Sequence, residues 1–233
     1  METTVLLTRD QEANEALAGF LKANGLDTLS WPTLRYDRFL LKVRDFSHFD
    51  WLVFTSPHAA QFFCEQTQKL PEKISFAAIG QRTAKVLEDF GYKVSVIAKH
   101  SSAVGFAHEE VFQKTEGLKI FLPLAEDAEE NFSKILADRH EITTEVLYRK
   151  IPHPHTEKEK KVLEKKKIDW ISFFSPSAVK FFLKDFDKSF FEGKKIAAIG
   201  PTTAKSLKER GVAVDAVSEE PTVEALVKIM QTL

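Results

Sequence analysis

Apolar residues in this chain fall into two kinds of stretch. Short unbroken runs, such as Val5-Leu6-Leu7, Trp51-Leu52-Val53-Phe54, Phe76-Ala77-Ala78-Ile79 and Ile196-Ala197-Ala198-Ile199, end in polar or turn residues. Between them lie stretches whose apolar positions recur every three or four residues, as in DQEANEALAGFLKA from Asp10 to Ala23. Runs of the first kind, rich in Val, Ile and Phe, predict buried strands, and the second spacing predicts amphipathic helices. Strands are expected near 4–8, 27–31, 51–55, 75–79, 93–97, 119–123, 142–148, 169–174, 195–199 and 213–216, with helices between most of them. Thr156 and Glu159 have capping-box spacing and open a helix whose lysine run reads as a solvated face. Such alternation implies an α/β fold with parallel sheets covered on both faces.

The pattern also repeats. FDWLVFTSPHAAQFF (49–63) overlays IDWISFFSPSAVKFF (168–182), and AAIGQRTAK (77–85) overlays AAIGPTTAK (197–205), 120 residues on. A fainter match joins VLLTRDQEANEALAGFL (5–21) to IFLPLAEDAEENFSKIL (120–136). Two long copies mean two similar domains, not a solenoid. The joints set their boundaries. Only a short turn, QKTEG, precedes the second copy of the early segment, whereas the two other joints are longer and contain proline, which favours extended chain. The expected division is a discontinuous domain, 1–35 with 154–233, and a continuous one, 40–148, joined by extended linkers at 32–40 and 148–155. The competing division is two sequential domains split near Gly117.

Charge and composition narrow the functions. The 233 residues carry a formal net charge of −1, so no global basic field exists to attract nucleic acid or an anionic membrane. The lone Cys64 excludes an intramolecular disulfide and suits a reducing cytosol. The start, METTVLLTRD, lacks the pattern of a signal peptide, and no apolar run is long enough to span a bilayer. A cytoplasmic protein without a membrane or nucleic-acid partner is expected.

Four corners carry the candidate chemistry. Ser56-Pro57 and Ser175-Pro176 each follow a strand and open a helix, serine as N-cap and proline at the first helical position. Gly80-Gln81-Arg82-Thr83 and Gly200-Pro201-Thr202-Thr203 do the same with glycine and hydroxyls. All four fall at carboxyl ends of parallel strands, where such sheets bind ligands, and helix N-termini there favour anions. Two domains presenting such corners to one cleft would hold a polyanion without net basic charge. The competing reading is that Ser56, Ser175, Thr83 and Thr203 are caps only. His153-Pro154-His155 has two potential metal ligands but no visible partner cluster, and no nucleotide-binding glycine motif occurs. Tyr148 ends a strand just where the second linker begins, in EVLYRKIPHPH. It either faces the interdomain gap or packs at the domain edge with its hydroxyl in solvent.

VLLTRD, FTSPHAA, AAIGQRTAK, VLYRKIPHP, FFSPSAV, AAIGPTTAKSL and EEPTVEALV, in this order, resemble uroporphyrinogen-III synthases over essentially the whole chain. The resemblance implies two similar flavodoxin-like domains with parallel five-stranded sheets, joined by a two-stranded extended linker. It implies a lyase (hydro-lyase) of porphyrin and heme biosynthesis, cytoplasmic and monomeric. This enzyme would cyclise hydroxymethylbilane, a linear tetrapyrrole polycarboxylate, with inversion of ring D and loss of water, using no cofactor and no metal. It implies Tyr148 as the residue assisting departure of the terminal hydroxyl, and Ser56, Thr83, Ser175, Ser177, Thr202 and Thr203 as substrate-binding residues. Arg9, at the first corner, would add a charge that its repeat partner Leu124 cannot. The alternative function is a non-catalytic two-domain binding protein for an anionic small molecule.

Overall fold

The computed structural model describes residues 3–98, 103–128, 131–220 and 222–232. The chain divides into two compact units, Met1–Arg35 with Ile151–Leu233, and Tyr36–Lys150. The first unit opens with β1 (Thr3–Leu7), α1 (Gln11–Ala23) and β2 (Leu26–Ser30). β3 (Leu34–Arg38), β4 (Trp51–Phe54), α2 (Pro57–Cys64), β5 (Ser75–Ala78) and α3 (Gln81–Asp89) follow. Next come β6 (Val94–Ile97), α4 (Ala103–Ala107), α5 (Glu110–Lys114), β7 (Lys119–Ala125), α6 (Asn131–Leu136) and β8 (Glu141–Pro152). The chain then returns to the first unit with α7 (Glu157–Glu164), β9 (Trp170–Phe173), α8 (Pro176–Asp185) and a 3-10 turn over Lys188–Phe191. It closes with β10 (Lys195–Ala198), α9 (Pro201–Glu209), β11 (Ala216–Val217) and α10 (Val223–Thr232).

One sheet has five strands, β11-β10-β9-β1-β2, and its paired neighbours run parallel. The other has six, β3-β8-β7-β4-β5-β6, with parallel pairs from β8 through β6. The five-strand expectation therefore needs correcting in one sheet. The additional strand, β3, lies in the stretch read as a linker, as does the end of β8. Phe39 N–H donates to Leu147 O at 2.8 Å, and Arg149 Nη2 to Asp37 Oδ2 at 2.7 Å, so both stretches are held in a sheet.

Period-two alternation sorts each buried strand between two cores. In β4, Leu52 and Phe54 join one cluster while Trp51 and Val53 join another. In β1, Leu6 packs with α8 and α9, whereas Val5 and Leu7 pack with Leu17 and Leu21 of α1 and Leu226 of α10. Helices on both sheet faces explain why these strands read as unbroken apolar runs.

The repeated Asp-Trp pair has a shared structural role. Asp169 Oδ2 accepts from Thr4 N–H at 2.8 Å, and Asp50 Oδ2 accepts from Lys119 N–H at 2.8 Å. Each carboxylate thus fixes the start of the neighbouring strand, β1 in one unit and β7 in the other. Asn14 does comparable work at the other end of β1. Fully buried, it donates to Leu7 O at 3.1 Å and Ser30 Oγ at 3.0 Å, and accepts from Arg9 N–H at 3.0 Å. Asn14→Ala strands these buried groups and is expected to cost about 2–4 kcal/mol, read from urea denaturation; a loss under about 0.5 kcal/mol would mean the corner re-forms without it.

Candidate active site

The proposed residues lie toward the carboxyl ends of the strands in each of the two sheets. In the six-stranded sheet, Ser56 caps α2 with extended backbone, and its Oγ accepts from Ala59 N–H at 3.0 Å. Tyr148, on β8, is 2% exposed and belongs to the same core cluster as Phe54 and Phe62. β7 separates β8 from β4 in the sheet, and Tyr148 pairs with Ala125, the last residue of β7, yet its hydroxyl lies 3.0 Å from Ser56 Oγ. Residues 92 apart in sequence therefore share one hydrogen bond. The solvent-exposed alternative for the Tyr148 hydroxyl gives way to this burial. Phe62 and Tyr36 meet the phenol ring edge-on at 5.3 and 5.6 Å, and His58 lies edge-on at 6.1 Å.

Burial pushes the Tyr148 phenol above its ordinary value of 10.0, and the Ser56 hydrogen bond opposes that shift. The phenol stays neutral at physiological pH and able to donate a proton. A group that binds its proton more tightly folded than unfolded contributes stability that is complete below its unfolded value and is lost as pH rises through its folded value. Relative to Tyr148→Phe, the protein is thus expected to hold constant stability through neutrality and lose it above about pH 10. Urea melts of both at pH 7 and about pH 10.5 check this; an equal response of both proteins to pH would contradict it.

Thr83 is 1% exposed and Thr203 3% exposed. Both occupy the third position of their helices, and neither is the cap: Gly80 caps α3 and Gly200 caps α9. The two glycines also differ. Gly80 has a φ of 79°, which favours glycine, whereas Gly200 has a φ of 178°, which any residue adopts. A Cβ built at Gly200 meets nothing within 4 Å. The first intrahelical bonds are Ala84 N–H to Gly80 O and Ala204 N–H to Gly200 O. The N–H groups of Gln81, Arg82, Thr83, Thr202 and Thr203 precede that ladder and are donors the helices cannot use.

In the five-stranded sheet, β10, β9 and β1 are consecutive, and Gly200, Ser175 and Arg9 lie two residues beyond their respective ends. Ser175 caps α8, its Oγ accepting from Ala178 N–H at 3.1 Å. Half-buried Ser177 lies in the first turn of α8, and Thr202 is exposed in the first turn of α9. The Arg9 guanidinium stands over the Phe174 ring at 5.2 Å. A buried network fixes this corner. Thr8 Oγ1 donates to Ser172 O at 2.7 Å, and Thr33 Oγ1 donates to Thr8 O at 2.6 Å.

His155 is committed elsewhere, its ring stacked on Trp31 at 3.6 Å and its Nε2 donating to Pro32 O at 2.7 Å. Among the described residues no cluster of three or more His, Cys, Asp or Glu could hold a metal ion. No described helix is long and apolar enough to cross a membrane. Cys64 is buried, and its thiol is pushed up to about 12 by burial, so it is inert as a nucleophile.

Sequence reasoning passed over Asn14, Asp50, Asp169, Thr8, Thr33 and Tyr36. The repeated Asp-Trp pair was the available signal for two of them. The others are defined by contacts across the sheets and have no local signature.

A family model described as uroporphyrinogen-III synthase HemD matches residues 15–228. A uroporphyrinogen-III synthase of Chlorobaculum parvum is 27% identical over 228 residues, covering 93% of each chain. The crystal structure of a uroporphyrinogen-III synthetase from Helicobacter pylori aligns with a TM-score of 0.73 at 25% identity, over 100% of this chain and 99% of that one. A mutant uroporphyrinogen III synthase from Thermus thermophilus shares the fold, with a TM-score of 0.59 at 18% identity over 99% and 96% of the two chains.

Proposed function

The chain belongs to the uroporphyrinogen-III synthase HemD family, a family of lyases, and from this we propose how its own residues carry out the synthase reaction. The substrate is hydroxymethylbilane, which bears an acetate and a propionate on every ring. Unused N–H groups at the starts of α3, α8 and α9 take carboxylates, each helix end favouring an anion by about 0.3–1 kcal/mol. Thr83, Ser175, Ser177, Thr202 and Thr203 surround those donors, and Arg9 supplies a full positive charge.

The observation that carries the chemical assignment is the buried Tyr148 phenol of β8, hydrogen-bonded to Ser56 near the ends of β7 and β4. In this reading Tyr148 donates its proton to the terminal hydroxyl. The C–O bond breaks, water departs with the bonding pair, and a pyrrole nitrogen lone pair makes the azafulvene. Ring D attacks that carbon through its substituted position, giving a spiro intermediate. Fragmentation and reclosure invert the ring, and the proton lost on rearomatisation balances the one delivered. Holding the bilane folded decides which carbon reacts, a contribution of orientation more than acid strength.

We place the reaction in the cytoplasm, in a monomer, with no added cofactor. We also read both units as flavodoxin-like domains connected by a two-stranded extended linker at 32–40 and 148–155. Counting strands with the early segment of each repeat first, each sheet contains the order 2-1-3-4-5, which supports that reading. The family match leaves the non-catalytic binding protein without support. Identifying the isomer formed from hydroxymethylbilane tests the assignment.

A further inference from the structure

We propose that Ser56 is a positioning residue for Tyr148, aiming its own hydroxyl proton at the phenol oxygen so that the phenol proton is free for the substrate. The inference rests on the reading of Tyr148 as the acid and goes beyond treating Ser56 as a substrate ligand. A serine hydroxyl has one proton and two acceptor sites. One site on Ser56 Oγ is taken by Ala59 N–H at 3.0 Å, and Tyr148 Oη lies 3.0 Å away. Two arrangements fit that second distance. If the phenol donates to Ser56, its only proton is occupied. If Ser56 donates, the phenol proton points elsewhere.

Three features favour Ser56 as donor. A hydroxyl that accepts a hydrogen bond is polarised into a better donor, and Ala59 N–H supplies that bond. Ser56 stands at the N-terminus of α2, whose partial positive charge favours electron density gathering on the neighbouring oxygen. The phenol oxygen becomes phenolate-like as it gives up its proton, and a serine O–H pointing at it turns into a charge-assisted bond at that moment. The ring itself is clamped by Phe62 and Tyr36. The opposing influences of burial and of Ser56 on Tyr148 acidity agree with this division of roles.

Ser56→Gly removes the hydroxyl while keeping a residue tolerated at the helix cap. It is expected to lower kcat about tenfold or more with KM held within about twofold, and Ser56→Thr is expected to restore kcat. In the Tyr148→Phe background, Ser56→Gly is expected to add no further loss. A direct readout is the phenol C–O stretch in difference infrared spectra, using isotope-labelled tyrosine. Tyr36→Phe and Tyr92→Phe leave Tyr148 as the sole phenol of the three in the chain. The stretch moves to higher frequency on Ser56→Gly if Ser56 donates to the phenol, and to lower frequency if the phenol donates to Ser56. A downward shift overturns the inference. So does a rise in KM that persists without the phenol, which makes Ser56 a substrate ligand. Failure of the underlying reading has a separate sign, an unchanged kcat in Tyr148→Phe alone, and that result overturns the inference as well.

Discussion

Tyr148→Phe is expected to lower kcat about 100-fold or more while leaving KM and the fold nearly intact. A positioned acid typically supplies a factor of about 10²–10⁴, and the substitution deletes one oxygen only. The ring keeps its place in the core because Phe62 and Tyr36 pack against carbon atoms that the variant retains. The stability cost is that of one hydrogen bond, about 1 kcal/mol. Ser56 still caps α2 through Ala59 N–H, so the corner itself survives. Residual activity is expected, since the folded bilane remains oriented without the acid. Single-turnover kinetics on hydroxymethylbilane read the effect, and an unchanged rate would remove Tyr148 from the chemistry.

Phe182→Ala is the second large effect, an expected destabilisation of about 3–5 kcal/mol with a matching fall in thermal midpoint. Phe182 is fully buried on α8, with ring centroids of Phe186, Phe173 and Phe190 at 5.0, 5.3 and 5.6 Å. Truncation removes the ring from among these partners and leaves a void that an alanine cannot fill. The consequence reaches the site because α8 also carries Ser175 and Ser177 at its start. A loosened helix misplaces that corner, so KM is expected to rise even where the variant remains folded. Calorimetry with parallel kinetics checks both halves. A loss under about 1 kcal/mol would show that the cluster repacks.

Local chemistry was the legible part of this chain. Ser56-Pro57 and Ser175-Pro176 announced their helix starts because cap and first-turn preferences act within four residues. Thr156 and Glu159 form the reciprocal capping box their spacing indicates. Strand runs such as Trp51–Phe54 were readable because both faces are buried. β3 was not. Its LRYDR sequence follows a proline and has a single buried residue, Leu34, and it becomes a strand only by pairing with β8, over 100 residues away. The threonines show the same limit. Thr83 and Thr203 sit near helix starts, where hydroxyls commonly cap, yet glycine takes the cap and the threonines are buried. Nor does the local sequence of Tyr148 disclose its bond to Ser56, a residue 92 positions away that follows a strand β7 separates from β8. Even the matching glycines conceal a difference, since only Gly80 needs its left-handed backbone.

The most direct test of the central claim is the isomer composition of the product. The purified protein is incubated anaerobically with freshly generated hydroxymethylbilane and no added cofactor, and the oxidised porphyrins are separated chromatographically. Uroporphyrinogen III as the dominant product, formed faster than the spontaneous cyclisation, is the predicted result. Type I isomer alone, at the spontaneous rate, would contradict the account.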